Sequence, residues 1–185
     1  MPEVDAVFSE TRRGNHPESI TRWGQLGLDG AWDNRDIAMY GRNAVSGTYG
    51  YFKDNALFGG DFRAAVNEQP GSSSVVQGVT ESINGIGYSG IGYNTSGVRT
   101  VPLSAETGGE YAEANAANAL NGTYPLSRFL YVYVNKNPNE DMDPMMKEFM
   151  AMILSRQGQE VVVRDGFVPL PANVAQDIRS ELGIE

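Results

Sequence analysis

Tyr40-Gly41-Arg42-Asn43-Ala44-Val45-Ser46-Gly47-Thr48 is the stretch whose reading decides the fold. Ile37-Ala38-Met39-Tyr40 before it reads as a short buried strand. Beyond it, Tyr49, Phe52, Lys53 and Ala56 recur at helical spacing, so a helix should begin at Ser46-Gly47-Thr48. A strand, a turn carrying Arg42 and a helix start made of small hydroxylated residues form an anion-binding pattern. The first amides of a helix lack internal partners and stand at the positive end of its dipole. Gly47 allows close approach to the backbone, Ser46 and Thr48 add hydroxyl donors, and Arg42 offers a planar fork to two oxygens. The same residues also read as a plain serine-capped helix beside a solvated arginine.

A second transition of this kind follows. In Gln69-Pro70-Gly71-Ser72-Ser73-Ser74, the residues Gly71, Ser72 and Ser73 open a helix whose apolar positions are Val75, Val76, Val79 and Ile83. They read either as ligand donors or as a serine cap. Gly85-Ile86-Gly87-Tyr88-Ser89-Gly90 fits the spacing of a dinucleotide turn, but it follows a helix and enters a strand-like run over 86–93, so that reading fails.

Around these turns the chain alternates short apolar runs with loops. Val4, Val7 and Phe8 share a helical face; Trp23 and Leu26 should pack inward. Residues 62–67 and 98–103 read as extended, and 104–123 as a partly helical surface excursion. Phe129-Leu130-Tyr131-Val132-Tyr133-Val134-Asn135 has the strongest strand composition in the chain. Asp143 with Pro144 should cap a helix carrying Met146, Phe149, Met150 and Ile153 on its core face. A further helix follows Ser155, with Val161 and Val162 buried, and a last one covers 172–182 before Gly183.

Bulk composition limits the chemistry. The 185 residues carry 23 acidic and 14 basic side chains, a net charge of −9, which disfavours a nucleic-acid partner. With no cysteine there is no disulfide framework or thiolate metal site, and the lone histidine, His16, sits in a polar loop. No apolar run reaches the roughly 18 residues of a membrane span. The first residues, Met1-Pro2-Glu3-Val4-Asp5, show no signal-peptide pattern. No nucleophile elbow, metal-protease, phosphate-loop or calcium-loop motif is present, so binding is expected, with no catalytic residue, metal or cofactor.

Val4–Ser9, Ile20–Gly27, Gly41–Tyr49, Pro70–Val76, Ile86–Tyr88, Tyr124-Pro125-Leu126-Ser127-Arg128 and Gly166–Pro171 occur in an order that resembles the phosphate-binding proteins among ABC-transporter solute receptors. The resemblance covers the whole chain, but only the later portion of the family. It implies an α/β fold of the type II periplasmic binding protein class: one sheet-and-helix lobe over 1–128, the family's second lobe. Residues 129–185 would then be a crossover strand and the C-terminal helices of a truncated first lobe.

By the same resemblance, Arg42, Ser46, Gly47 and Thr48 grip inorganic phosphate or a similar tetrahedral oxyanion. Some relatives carry an Asp where this chain has Ala44. The family's opening segment, with an Asp that accepts the proton of hydrogen phosphate, has no counterpart here. An ABC permease, and a first-lobe segment or another copy completing the cleft, are the implied partners; the implied location is the periplasm or cell surface. The alternative is an interaction or scaffold protein that keeps the fold with weakened or lost anion binding.

Overall fold

The computed structural model describes residues 1–184; Glu185, the end of the expected second segment, lies outside them. The chain divides into two compact units, Met1–Ser127 and Arg128–Glu185.

In the first unit a three-stranded parallel sheet runs in the order β2-β1-β3, with β1 over Ala38–Arg42, β2 over Asn67–Gln69 and β3 over Gly85–Gly87. Helix α2 (Gly47–Asn55) follows β1, and α3 (Ser72–Glu81) crosses from β2 to β3. The α1 helix, Pro2–Phe8, supplies Val7 and Phe8 to the core as its spacing predicts. Trp23 and Leu26, in a short 3-10 turn, pack against that core, and α4 covers Ala116–Leu120.

The strand expected to stop at Tyr40 continues to Arg42, because Gly41 and Arg42 stand in register with Glu68 and Gln69. That extension matters. It makes β1 the central strand and brings the starts of α2 and α3 to the carboxyl ends of two adjacent parallel strands, where open α/β sheets bind ligands.

Beneath β1 lies an aromatic cluster. Phe52 and Tyr88 stack with ring centroids 3.9 Å apart, and Phe8 meets Phe52 edge-on at 5.2 Å. Such pairs contribute about 0.5–1.5 kcal/mol each beyond simple burial. The Tyr88 ring fills the space over Gly41 so closely that an added Cβ would sit 2.6 Å from it.

Four expectations fail in this unit. Residues 62–67 form no strand: Arg63 N–H donates to the Phe8 carbonyl and Val66 N–H turns back to Arg63, so β2 begins only at Asn67. The run over 98–103 keeps a single antiparallel bridge, Leu103 to Ala112, since Pro102 has no N–H for a ladder. The strand placed over 86–93 ends at Gly87, and Ile91–Tyr93 is a 3-10 turn. The start of α3 is capped by Gly71 rather than by a serine side chain; Ser74 Oγ instead reaches back to Gly71 N–H at 3.2 Å.

The second unit holds α5 (Pro144–Ile153), α6 (Arg156–Arg164) and α7 (Ala172–Leu182). Asp143 Oδ1 accepts from the Met145 and Met146 amides at 3.0 and 3.1 Å, the expected cap, and Gly183 ends α7 at φ 65°. The core here is small: Met142, Met150 and Ile184, with Val134, Ala151, Ile153 and Leu182 against them. Met146 and Phe149, expected inward, are exposed, so Met150 carries that face. Val161 is exposed as well. Successive residues turn 100° on a helix, so Val161, Val162 and Val163 cannot all face inward, and Val162 is the more covered.

The strand expected over 129–135 does not form. Strand composition expresses fit to a pleated, half-buried surface, and Phe129–Asn135 pairs with no described strand. Its side chains lie open instead, Tyr133 at 91% exposure.

Candidate anion site at the carboxyl ends of β1 and β2

Four residues separate the end of β1 from α2, and two separate β2 from α3. Arg42 is the last residue of β1. Its Nη1 donates to Ser72 Oγ at 2.8 Å and its Nη2 to the Pro70 carbonyl at 3.1 Å, so the guanidinium is fastened across to the start of α3. The Arg42 carbonyl accepts from the Tyr88 hydroxyl at 3.3 Å. Burial against the aromatic cluster raises the Tyr88 pKa well above that of free tyrosine, so this hydroxyl stays a donor.

Two atoms here lack partners among the described residues: Arg42 Nε and Asn43 Oδ1, both shut from solvent. An unpaired buried donor costs about 1–3 kcal/mol, which makes Arg42 Nε a group that gains by meeting an acceptor.

At α2, Ser46 is the N-cap; its Oγ accepts from Thr48 N–H at 3.1 Å. The hydroxyl proton remains available for donation, because the oxygen is the acceptor in that bond. Gly47 and Thr48 are the first two residues of the helix. Gly50 N–H takes the Ser46 carbonyl, while the Gly47 and Tyr49 amides have no acceptor among the described residues. Gly47 is exposed, and Val45 on the same turn is 90% exposed, so this rim is open.

At α3, Gly71 is the N-cap, and Ser72 and Ser73 are the first two helical residues. Ser72 is buried and engaged with Arg42, and its carbonyl accepts from Ser89 Oγ. Ser73 is exposed and lines a surface hollow of about 470 Å³ along the outer side of α3 with Gln77, Glu81 and Tyr93. Neither that hollow nor a second of about 490 Å³ beside Tyr40 and Gly78 is lined by Arg42, Ser46, Gly47 or Thr48.

The sequence-predicted residues therefore divide. Arg42 and Ser72 are joined directly, Ser46, Gly47 and Thr48 form the adjoining helix start, and Ser73 points elsewhere. What the sequence reading missed is the fastening of Arg42 through Ser72 and the Pro70 carbonyl. It also missed the support of the β1 end by Tyr88, which the unsubstituted Cα of Gly41 could have signalled.

A family model described as a PBP superfamily domain matches residues 2–157. The phosphate-binding protein PstS of Pseudomonas aeruginosa is 58% identical over 184 residues, covering 100% of this chain and 57% of that protein. The chain thus spans little more than half the length of the curated relatives it matches. A structure from Clostridium perfringens, described as a phosphate ABC-transporter substrate-binding protein with bound phosphate, superposes with a TM-score of 0.66 at 27% identity, over 82% of this chain and 58% of that one. A possible phosphate binding protein from Planctomyces limnophilus shares the fold with a TM-score of 0.68 at 21% identity, over 98% and 62%. The three-stranded parallel sheet and the match over residues 2–157 agree: the chain belongs to the PBP superfamily domain family.

Proposed function

We propose that this chain binds inorganic phosphate, or an oxyanion of the same shape, as all or part of the solute-binding component of an ABC phosphate uptake system. The observation that carries the reading is Arg42, fastened by Ser72 and Pro70 beside the open start of α2, with its Nε–H unspent. The relatives' descriptions name phosphate, and two amides, two hydroxyls and a guanidinium edge are the donor set a phosphate requires. The role is binding rather than catalysis. A permease, a further segment or second copy closing the other side of the anion, and a periplasmic or cell-surface location complete the reading.

Melting in phosphate against chloride at matched ionic strength tests it. Phosphate should raise Tm, and Arg42→Ala should abolish that shift. Arg42→Lys should restore only part of it, because an ammonium group cannot hold Ser72 Oγ and the Pro70 carbonyl while still offering an N–H edge to the anion. If Arg42→Ala melts lower in chloride yet keeps the full phosphate shift, Arg42 is a structural clamp and the assignment fails.

A further inference from the structure

We propose that Asn121 is a site of spontaneous covalent modification, losing its side-chain amide to attack by the Gly122 nitrogen. Asn84, the other asparagine followed by glycine, is kept in the amide form by the fold. The chemistry needs only water. The Gly122 nitrogen attacks Asn121 Cγ as its proton passes to solvent; the Cγ–Nδ2 bond breaks and ammonia departs. Water then opens the five-membered imide at either carbonyl, giving aspartate or the isomer whose main chain runs through Cγ. Asparagine is among the thermally labile residues, and a following glycine has no Cβ to hinder the attack.

Ring closure requires the peptide plane between the two residues to turn, since Asn121 at ψ −2° holds the Gly122 nitrogen away from its own Cγ. What decides is how firmly each plane is held. At Asn121 its carbonyl accepts, and the Gly122 N–H donates, no hydrogen bond among the described residues. Both residues are exposed, and a Cβ on Gly122 would meet nothing within 4 Å. The carbon under attack is also activated. Asn121 Oδ1 accepts from Thr123 N–H at 3.0 Å and from the Thr123 hydroxyl at 2.7 Å, two donors that stabilise the charge building on this oxygen. At Asn84 the same turn would break three bonds. The Asn84 carbonyl accepts from Ala38 N–H at 3.0 Å and from Trp23 Nε1–H at 3.2 Å, and Gly85 N–H donates to the Ser82 carbonyl at 2.8 Å. The side chain is tied as well, its Nδ2 donating to the Asp36 carbonyl at 2.6 Å. Conversion at Asn121 sets a carboxylate at the C-terminal end of α4, where the helix dipole is negative.

The test ages the whole chain in mildly alkaline buffer and maps its peptides by mass spectrometry. In the folded chain, acid and isomer should accumulate at residue 121 about tenfold faster than at residue 84, or more, each factor of ten being about 1.4 kcal/mol of barrier. In urea, where neither plane is held, the two rates should converge because Asn84 speeds up. Gly122→Ala should slow the loss at residue 121. Trp23→Phe, which removes one bond from the Asn84 carbonyl, should speed the loss at residue 84 and leave residue 121 unchanged. Equal rates at the two positions in the folded chain overturn the proposal. So does an Asn121 that keeps its amide in the folded chain and loses it only in urea.

Discussion

Gly41 shows how one residue can shape the candidate site without touching an anion. A Cβ there would lie 2.6 Å from the Tyr88 ring, and that ring is stacked on Phe52 and bonded through its hydroxyl to the Arg42 carbonyl. Gly41→Ala must push Tyr88 away or bend β1. Overpacking of this kind costs about 1–3 kcal/mol. Equilibrium urea unfolding should record that loss, together with a smaller phosphate shift because Arg42 is displaced; an unchanged midpoint would show that the ring moves freely. Tyr88 also gives a pH signature. Its pKa is raised by burial above the ordinary 10.0, so the folded chain holds the proton where the unfolded chain releases it. Stability from this group is intact below pH 10 and declines as pH rises beyond it. Tyr88→Phe should flatten that alkaline decline while leaving the profile near neutrality in shape. Of this, only the need for a glycine at position 41 could have been read beforehand. Arg42, Ser46 and Gly47 announce themselves by residue type, but the clamp of Ser72 and Pro70 on Arg42 depends on β1 and β2 being neighbours. That adjacency is a property of the sheet, not of either loop.

At the scale of elements, helix starts were the most legible features because their chemistry is local. A side-chain oxygen meets amides two or three residues on, as Ser46 does with Thr48 and Asp143 with Met145 and Met146. Strands were the least legible, since a strand exists only where a neighbour presents its edge. Hence β1 ran past Tyr40 to meet Glu68 and Gln69, while the aromatic run from Phe129 formed nothing. Helix faces fell between: Met150 is buried as its spacing predicts, but Phe149 and Val161 are exposed because the second unit's core is too small to cover every apolar side chain. The two caps give a paired expectation. Ser46→Ala and Asp143→Ala should each cost about 1 kcal/mol in thermal unfolding. Only Ser46→Ala should also reduce the phosphate shift, because its hydroxyl proton, not used in the bond from Thr48 N–H, is a proposed donor to the anion. Equal losses of the shift in both variants would mean that phosphate acts through general stability rather than at α2.

At the scale of the whole molecule, the question is what the chain as it stands can hold. In the proposed site the donors at the ends of β1 and β2 would meet an anion from one side, and the rim at Val45 and Gly47 is exposed. Water competes for the remaining oxygens, so each charge-assisted bond contributes only about 1.5–3 kcal/mol net, and part of that is spent on ordering the ligand. A total near −4 kcal/mol, about a millimolar Kd, is the expected scale. The overall charge of −9 adds a weak repulsion that salt screens. Selectivity follows from the same inventory. Hydrogen phosphate differs from sulfate by a proton that needs an acceptor, and a site rejects sulfate only if a carboxylate or other acceptor is left facing an unprotonated oxygen. Ala44 contributes no carboxylate, and Ser46, Gly47, Thr48 and Arg42 present donors. Phosphate and sulfate should therefore bind the 185-residue chain within about tenfold of one another, a difference of roughly 1.4 kcal/mol. Competition calorimetry at pH 7 reads this directly. A hundredfold preference for phosphate would place an acceptor at the site, with the orphaned Asn43 Oδ1 the first atom to examine, and Asn43→Ala would then have to erase the preference.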